Sequence, residues 1–358
     1  MEGLPYDPYR AAGRRLPVVL LALVGLIAVA AVVASVVSLS AGKPLIWQSG
    51  LNGGETGETG HAEGLSQLLY PAEVLQTLPQ PSGDDWLLPS SAVPAEGATF
   101  VLDTGNDRLL RLGPDGGVVA TIDSASSKGL ELQQPLALAS DGRRLFIANS
   151  LASDVVVLDL SGAVEKTIRL EPLAAGERPP RPIGLAVMPG GGIAVSDAAN
   201  HRVLVLDGEG ELVRVIGSGR RASGNDGFNV PGALTVDGAG NIYAVDTLNA
   251  RVVKVSPDGR FLAQFGEPGQ TAATLSRPKG VAVDGQGRVF VSDGLLAAVE
   301  VFGPDGTYLG MIGRKAPDDP AQGSIFGAPA GLWLNGDTLY VADRFAGLVV
   351  LKLSAAPQ

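Results

Sequence analysis

The chain has 358 residues with a formal charge of −10; 45% are hydrophobic and only 18% charged, with no cysteine and two histidines. Absent cysteine excludes disulfides, thiolate metal sites and a cysteine nucleophile, and the acidic balance argues against a nucleic-acid partner, because phosphate binding needs clustered positive charge. Forty-nine glycines and 25 prolines point away from a helical bundle and towards a turn-dense, strand-rich protein.

Residues 1–15 form a short basic tail containing Arg10, Arg14 and Arg15. Residues 16–39 then run 24 positions without a charge. A helix of that length reaches about 36 Å and crosses a hydrocarbon core of about 30 Å. The arginines precede the run and only Lys43 closely follows it, so the positive-inside rule leaves the N-terminus cytoplasmic and exports the rest. The expectation is a single-pass anchor. A cleaved signal with Ser38 and Ser40 near the cleavage point is the rival, but signal cores run about 7–15 apolar residues. Residues 40–71 contain a glycine- and glutamate-rich stretch with almost nothing apolar; such a segment cannot bury enough surface to offset its ordering entropy and reads as a flexible linker.

From residue 72 to 354 the chain repeats itself. Pro135, Pro182, Pro231, Pro278 and Pro329 each precede a short apolar strand and a glycine turn. A second short strand follows and ends at Asp103, Asn149, Asp197, Asp246, Asp293 or Asp343, positions 46 to 50 residues apart. A third strand, an Asp-Gly type turn such as Pro257-Asp258-Gly259, and a fourth strand complete each unit. Asp-Gly between β-type runs is a strong hairpin signal. Each unit is therefore an up-and-down sheet of four antiparallel strands, and such sheets bury both faces by packing radially around an axis.

The element Asp-x-x-Asn-x-Arg recurs at Asp103, Asn106 and Arg108, at Asp197, Asn200 and Arg202, and at Asp246, Asn249 and Arg251. This element, together with the glycine-rich stretch 217–231, resembles the NHL repeat. The resemblance implies an all-β, six-bladed β-propeller, with the copies at Asn149, Asp293 and Asp343 as divergent blades. The motif itself reads as structural: Asp at a strand end accepts backbone N–H bonds, Asn tolerates turn geometry, and Arg offers a planar fork.

The last copy supplies three strands, which would leave a sheet edge open. Residues 73–78 match the fourth-strand pattern of residues 211–216 and are expected to complete the final blade, with residues 86–91 opening the first. Residues 45–51 are the competing closing strand.

No catalytic, metal or cofactor residues emerge. Residues at the channel position after each proline are Leu136, Ile183, Gly232, Lys279 and Ala330, of which only Lys279 carries a reactive side chain. Lactonases and amidating lyases on related propellers would need acidic, amide or histidine ligands there. His201 stands where sister repeats have Asp107 and Ala250 and reads as a tolerated surface residue. The mouth bearing the inter-blade loops is the candidate ligand face, through Arg181, Arg221, Arg277, Lys279 and Arg314. The expected function is a membrane-anchored, extracytoplasmic, non-enzymatic recognition or scaffold module for a protein or polysaccharide. A channel-centred, metal-dependent hydrolase or lyase is the alternative.

Overall fold

A computed structural model of the chain describes residues 69–78, 86–271, 273–314 and 323–354. The span at 16–39, all but the end of the 40–71 linker, and the alternative closing strand at 45–51 lie outside the described residues. No helix among the described residues is long and apolar enough to cross a membrane.

The described chain is all β: six sheets of four antiparallel strands. Blade one holds β2 (Pro89–Ala95), β3 (Ala98–Asp103), β4 (Arg108–Leu112) and β5 (Val118–Ile122). Blade two holds β6 (Pro135–Ser140), β7 (Arg144–Asn149), β8 (Asp154–Asp159) and β9 (Val164–Arg169). In blade three are β10 (Pro182–Val187), β11 (Ile193–Asp197), β12 (Arg202–Leu206) and β13 (Leu212–Ile216). Blade four runs through β14 (Pro231–Val236), β15 (Ile242–Asp246), β16 (Arg251–Val255) and β17 (Phe261–Phe265). Blade five comprises β18 (Pro278–Val283), β19 (Val289–Asp293), β20 (Ala298–Phe302) and β21 (Tyr308–Ile312). Blade six combines β22 (Pro329–Asn335), β23 (Thr338–Asp343) and β24 (Gly347–Leu353) with the early strand β1 (Ala72–Leu78).

The first strands touch in a closed cycle, β2 to β6, β10, β14, β18, β22 and back to β2. This is a six-bladed propeller, and the first strands surround its axis. Both faces of each sheet are packed between neighbours, so the second and third strands are buried almost throughout, as in Ile193–Asp197 and Arg202–Leu206. The fourth strands lie outermost and alternate; three of the five residues of Phe261–Phe265 are half-buried or buried and two are exposed.

β1 pairs antiparallel with β24, from Ala72 against Leu353 to Leu78 against Leu348, with a bulge between Val74 and Gln76. The globular unit begins before Ala72, earlier than the expected linker end at 71. Tyr70 is buried, donates its N–H to the Met311 carbonyl at 2.8 Å, and sets its ring edge-on to Phe290 at 6.0 Å. The first strand of blade one is also displaced from the expected 86–91. It starts at Pro89, which pairs with Asp103 as Pro135 does with Asn149 and Pro182 with Asp197. Leu88 before it takes a left-handed φ of 57°, as Gln134 and Val230 do before Pro135 and Pro231. Residues 86–88 are therefore the end of an inter-blade loop.

Candidate functional site: the channel and its loop-bearing mouth

Each first strand starts at its proline beside the residue that ends the second strand, as with Pro231 and Asp246 or Pro278 and Asp293. The inter-blade loops and the turns after the second strands therefore share one face. The Asp that ends each second strand holds that face together. Asp197 accepts the Arg181 N–H at 3.0 Å on one oxygen, and Asn200 Nδ2 and Arg202 Nε at 2.8 and 3.0 Å on the other. Asp246 does the same with the Asn229 N–H, Asn249 and Arg251, and Asp103 with the Leu87 N–H, Asn106 and Arg108.

The divergent blades keep the staple and change its donors. Asp343 accepts the N–H groups of Gly327 and Ala328 from the loop and of Phe345 and Ala346 from the turn. Asp293 accepts Ser276, Arg277, Leu295 and Leu296 in the same way. Asn149 meets the loop with its amide, accepting the Gln133 N–H and donating to the Glu131 carbonyl. A carboxylate saturated by four backbone donors needs neither Asn nor Arg, which accounts for the loss of both. His201 has a definite job here. Its Nδ1 accepts the Val230 N–H at 3.0 Å, as Asp107 accepts that of Gln134 at 2.7 Å. Burial, followed by the cationic Arg221 and Arg178, holds the imidazole below its usual range and keeps the accepting nitrogen free of a proton.

Inside the ring lies a cavity of about 490 Å³. Leu136, Ile183, Gly232, Lys279 and Ala330 all line it, joined by Ser90 in blade one. Deeper, its walls are the half-buried Val187, Val236, Val283, Leu332 and Leu334. Trp333 leaves blade six and packs against the clusters shared by blades one and two and by blades two and three, so its indole reaches across the axis and floors the channel. Among the described residues, the only charged ones lining the cavity are Lys279 and Arg344. Burial, then the nearby Arg344 and Arg277, push the Lys279 ammonium below the usual lysine range, with Asp293 offsetting part of this. Lys279 has no salt-bridge partner among the described residues.

The five candidate cations therefore separate. Lys279 and Arg277 sit at the channel mouth with Arg344, which the sequence reading missed. Arg344 occupies the position after the strand-ending Asp, where sister repeats carry Thr104, Ser150, Ala198, Thr247 and Gly294; a lone charge in that aligned column is the signal. Arg181 and Arg221 line a separate cleft with Arg178, Leu151 and His201, where Arg181 donates to Gln134 Oε1 at 3.1 Å. Arg314 stands apart, bridged through its backbone to Ser324.

One position further along, four of the six turns carry an exposed large apolar side chain, Leu151, Leu248, Leu295 and Phe345, the last 76% exposed, while blade three has the small Ala199. In blade one that position is Gly105, and Leu87 of the preceding loop occupies the space its Cβ would fill. Among the described residues no three His, Asp or Glu side chains gather to hold a metal ion, and the channel donor set does not fit a divalent cation.

The NHL-repeat family profile matches residues 180–206. This chain carries an NHL repeat. The matched stretch spans blade three from its first strand through its third, including Asp197, Asn200 and Arg202. Solved structures with the same fold include a gluconolactonase from Xanthomonas campestris, with 19% identity and a TM-score of 0.59 over 83% of this chain and 94% of that one. A catalytically inactive variant of the virginiamycin B lyase from Staphylococcus aureus, with quinupristin, matches at 14% identity and a TM-score of 0.56, covering 79% of this chain and 100% of that one. A protein from Bacteroides thetaiotaomicron matches at 15% and 0.58, covering 81% and 74%. At these identities the likeness is one of fold, which does not carry function with it.

Proposed function

We propose that the NHL propeller is a non-enzymatic recognition module, held outside the cytoplasm by residues 16–39 and the linker that follows, and that its loop-bearing face engages a partner. The observation that carries this reading is the channel lining, which among the described residues offers two cations, several hydroxyls and apolar side chains where a metal-dependent propeller enzyme needs acids or histidines. The exposed Leu151, Leu248 and Leu295 favour a protein over a polysaccharide, because aliphatic side chains give a sugar neither hydrogen bonds nor a stacking face. Arg178, Arg181 and Arg221 beside Leu151 favour acidic side chains on that partner.

The competing reading is a channel-centred lyase or lactonase. It draws on the likeness to the virginiamycin B lyase and the gluconolactonase. The lyase variant is inactive through the change of a single histidine to alanine, whereas His201 of this chain lies in the side cleft and accepts a backbone bond. Two measurements separate the readings. Metal analysis of the purified protein is expected to find no stoichiometric divalent ion, and a pull-down from surface-exposed proteins is expected to enrich one partner that Leu151→Asp and Leu248→Asp release. A bound stoichiometric ion together with lactone-opening turnover overturns the recognition reading. Fractionation with protease digestion of intact cells tests the anchor, and a propeller found free in the cytoplasm overturns that part.

A further inference from the structure

We propose that the channel is a binding site for a small amphipathic anion, its charged group held by Lys279 and Arg344 and its apolar part lying on Trp333. This goes beyond the recognition of a macromolecule at the rim, since the site is complete whether or not a partner covers it.

The cavity volume of about 490 Å³ falls within the range of about 300–1,000 Å³ typical of small-molecule sites. Its walls mix the hydroxyls of Ser90, Ser91, Ser140, Thr235 and Thr247 with apolar side chains. Leu136, Ile183, Val236, Val283 and Leu332 stay half-exposed inside it, so apolar surface faces water that an apolar ligand would displace. Trp333 closes the far end with an aromatic surface contacted from three blades. A simple inorganic anion would leave this lower part wet.

The upper end sets the charge. Lys279 is half-buried in the mouth, close to the guanidinium groups of Arg277 and Arg344, and has no salt-bridge partner among the described residues. The Lys279 ammonium, partly desolvated, repelled by those guanidinium groups and only partly offset by Asp293, gains from an anion that enters the channel. A carboxylate there accepts charge-assisted hydrogen bonds from the ammonium and the planar guanidinium fork. A neutral ligand leaves the repulsion in place, and a cation adds to it. Monoanions with an aliphatic or aromatic tail are the class that satisfies both ends.

Octanoate is a suitable probe, with 1-octanol as its neutral counterpart, titrated into the full chain by calorimetry and tryptophan fluorescence. Saturable binding at one site per chain is expected, with 1-octanol weaker by roughly tenfold or more. Lys279→Met should weaken octanoate by a similar factor while leaving 1-octanol unchanged, and Arg344→Met should act in the same direction. Trp333→Phe should abolish the fluorescence change but keep the calorimetric signal. Failure of octanoate to saturate overturns the inference, as does equal affinity for the alcohol or an unchanged affinity in both cation variants whose thermal midpoints match the parent. A protein that enriches its partner yet ignores octanoate loses only this site; one that binds octanoate without any partner loses only the rim reading.

Discussion

Glu300 puts an ionisable side chain where the sister blades carry apolar ones. It sits in the middle of β20, in the column filled by Leu110, Val156, Leu204 and Val253 in sister blades, and is 1% exposed. Burial pushes its carboxyl up to about 7; the Tyr308 hydroxyl, donating at 2.6 Å, works against the rise and Asp293 adds to it. The folded state thus holds this proton more tightly than the unfolded chain, whose carboxyl titrates near 4.5. Stability should fall as pH rises from about 4.5 to about 7 and stay level beyond, because the ionised form is the one the fold disfavours. Glu300→Gln keeps an acceptor for Tyr308 and removes the ionisation. Urea denaturation should show the variant more stable by about 3 kcal/mol at pH 8 and unchanged near pH 4.

At the scale of the element, the informative strand is β1. It brings a fourth strand to blade six from the opposite end of the propeller sequence and covers the backbone of β24, whose Leu348, Val349 and Leu351 belong to the core. Without it, β24 would present an unpaired edge, which invites association between chains. A chain beginning at residue 69 should melt like the parent. One beginning at residue 80 should melt at least ~10 °C lower and aggregate with increasing concentration, as light scattering would show. Register is the part of this closure that the strand pattern hides: the bulge between Val74 and Gln76 leaves Leu75 unpaired and 51% exposed.

For the whole molecule, the width of the ring is set where first strands approach each other. A Cβ on Gly184 would lie 2.1 Å from the Gly232 carbonyl oxygen, one on Gly280 2.3 Å from that of Ala330, and one on Gly331 2.3 Å from that of Ser90. These equivalent positions draw neighbouring backbones together, and the other blades fill them with Ser91, Ala137 and Ala233. Gly280→Val should cost more than about 3 kcal/mol, because neither backbone can yield without opening the ring. Gly285→Ala, in open space on a β18–β19 turn, should stay within about 0.5 kcal/mol. Chemical denaturation of both variants checks the pair.

Repetition makes the blades legible. A strand pattern tied to Asp-Gly turns and a strand-ending Asp, copied at near-constant spacing, specifies local pairings of short loop length, and those are decided within each unit of the chain. The first strand of blade one begins three residues beyond its expected start, at Pro89, a proline that was there to be matched to its five counterparts. The channel is only partly legible: Lys279 is visible in its column, but Arg344 comes from a different strand end, and Trp333 reaches its contacts only by crossing an axis that no single repeat contains. The cations form two groups for the same reason. Sequence determines which blade a side chain belongs to, whereas its neighbours across the channel depend on how six separate sheets close, a property of the ring and of no segment within it.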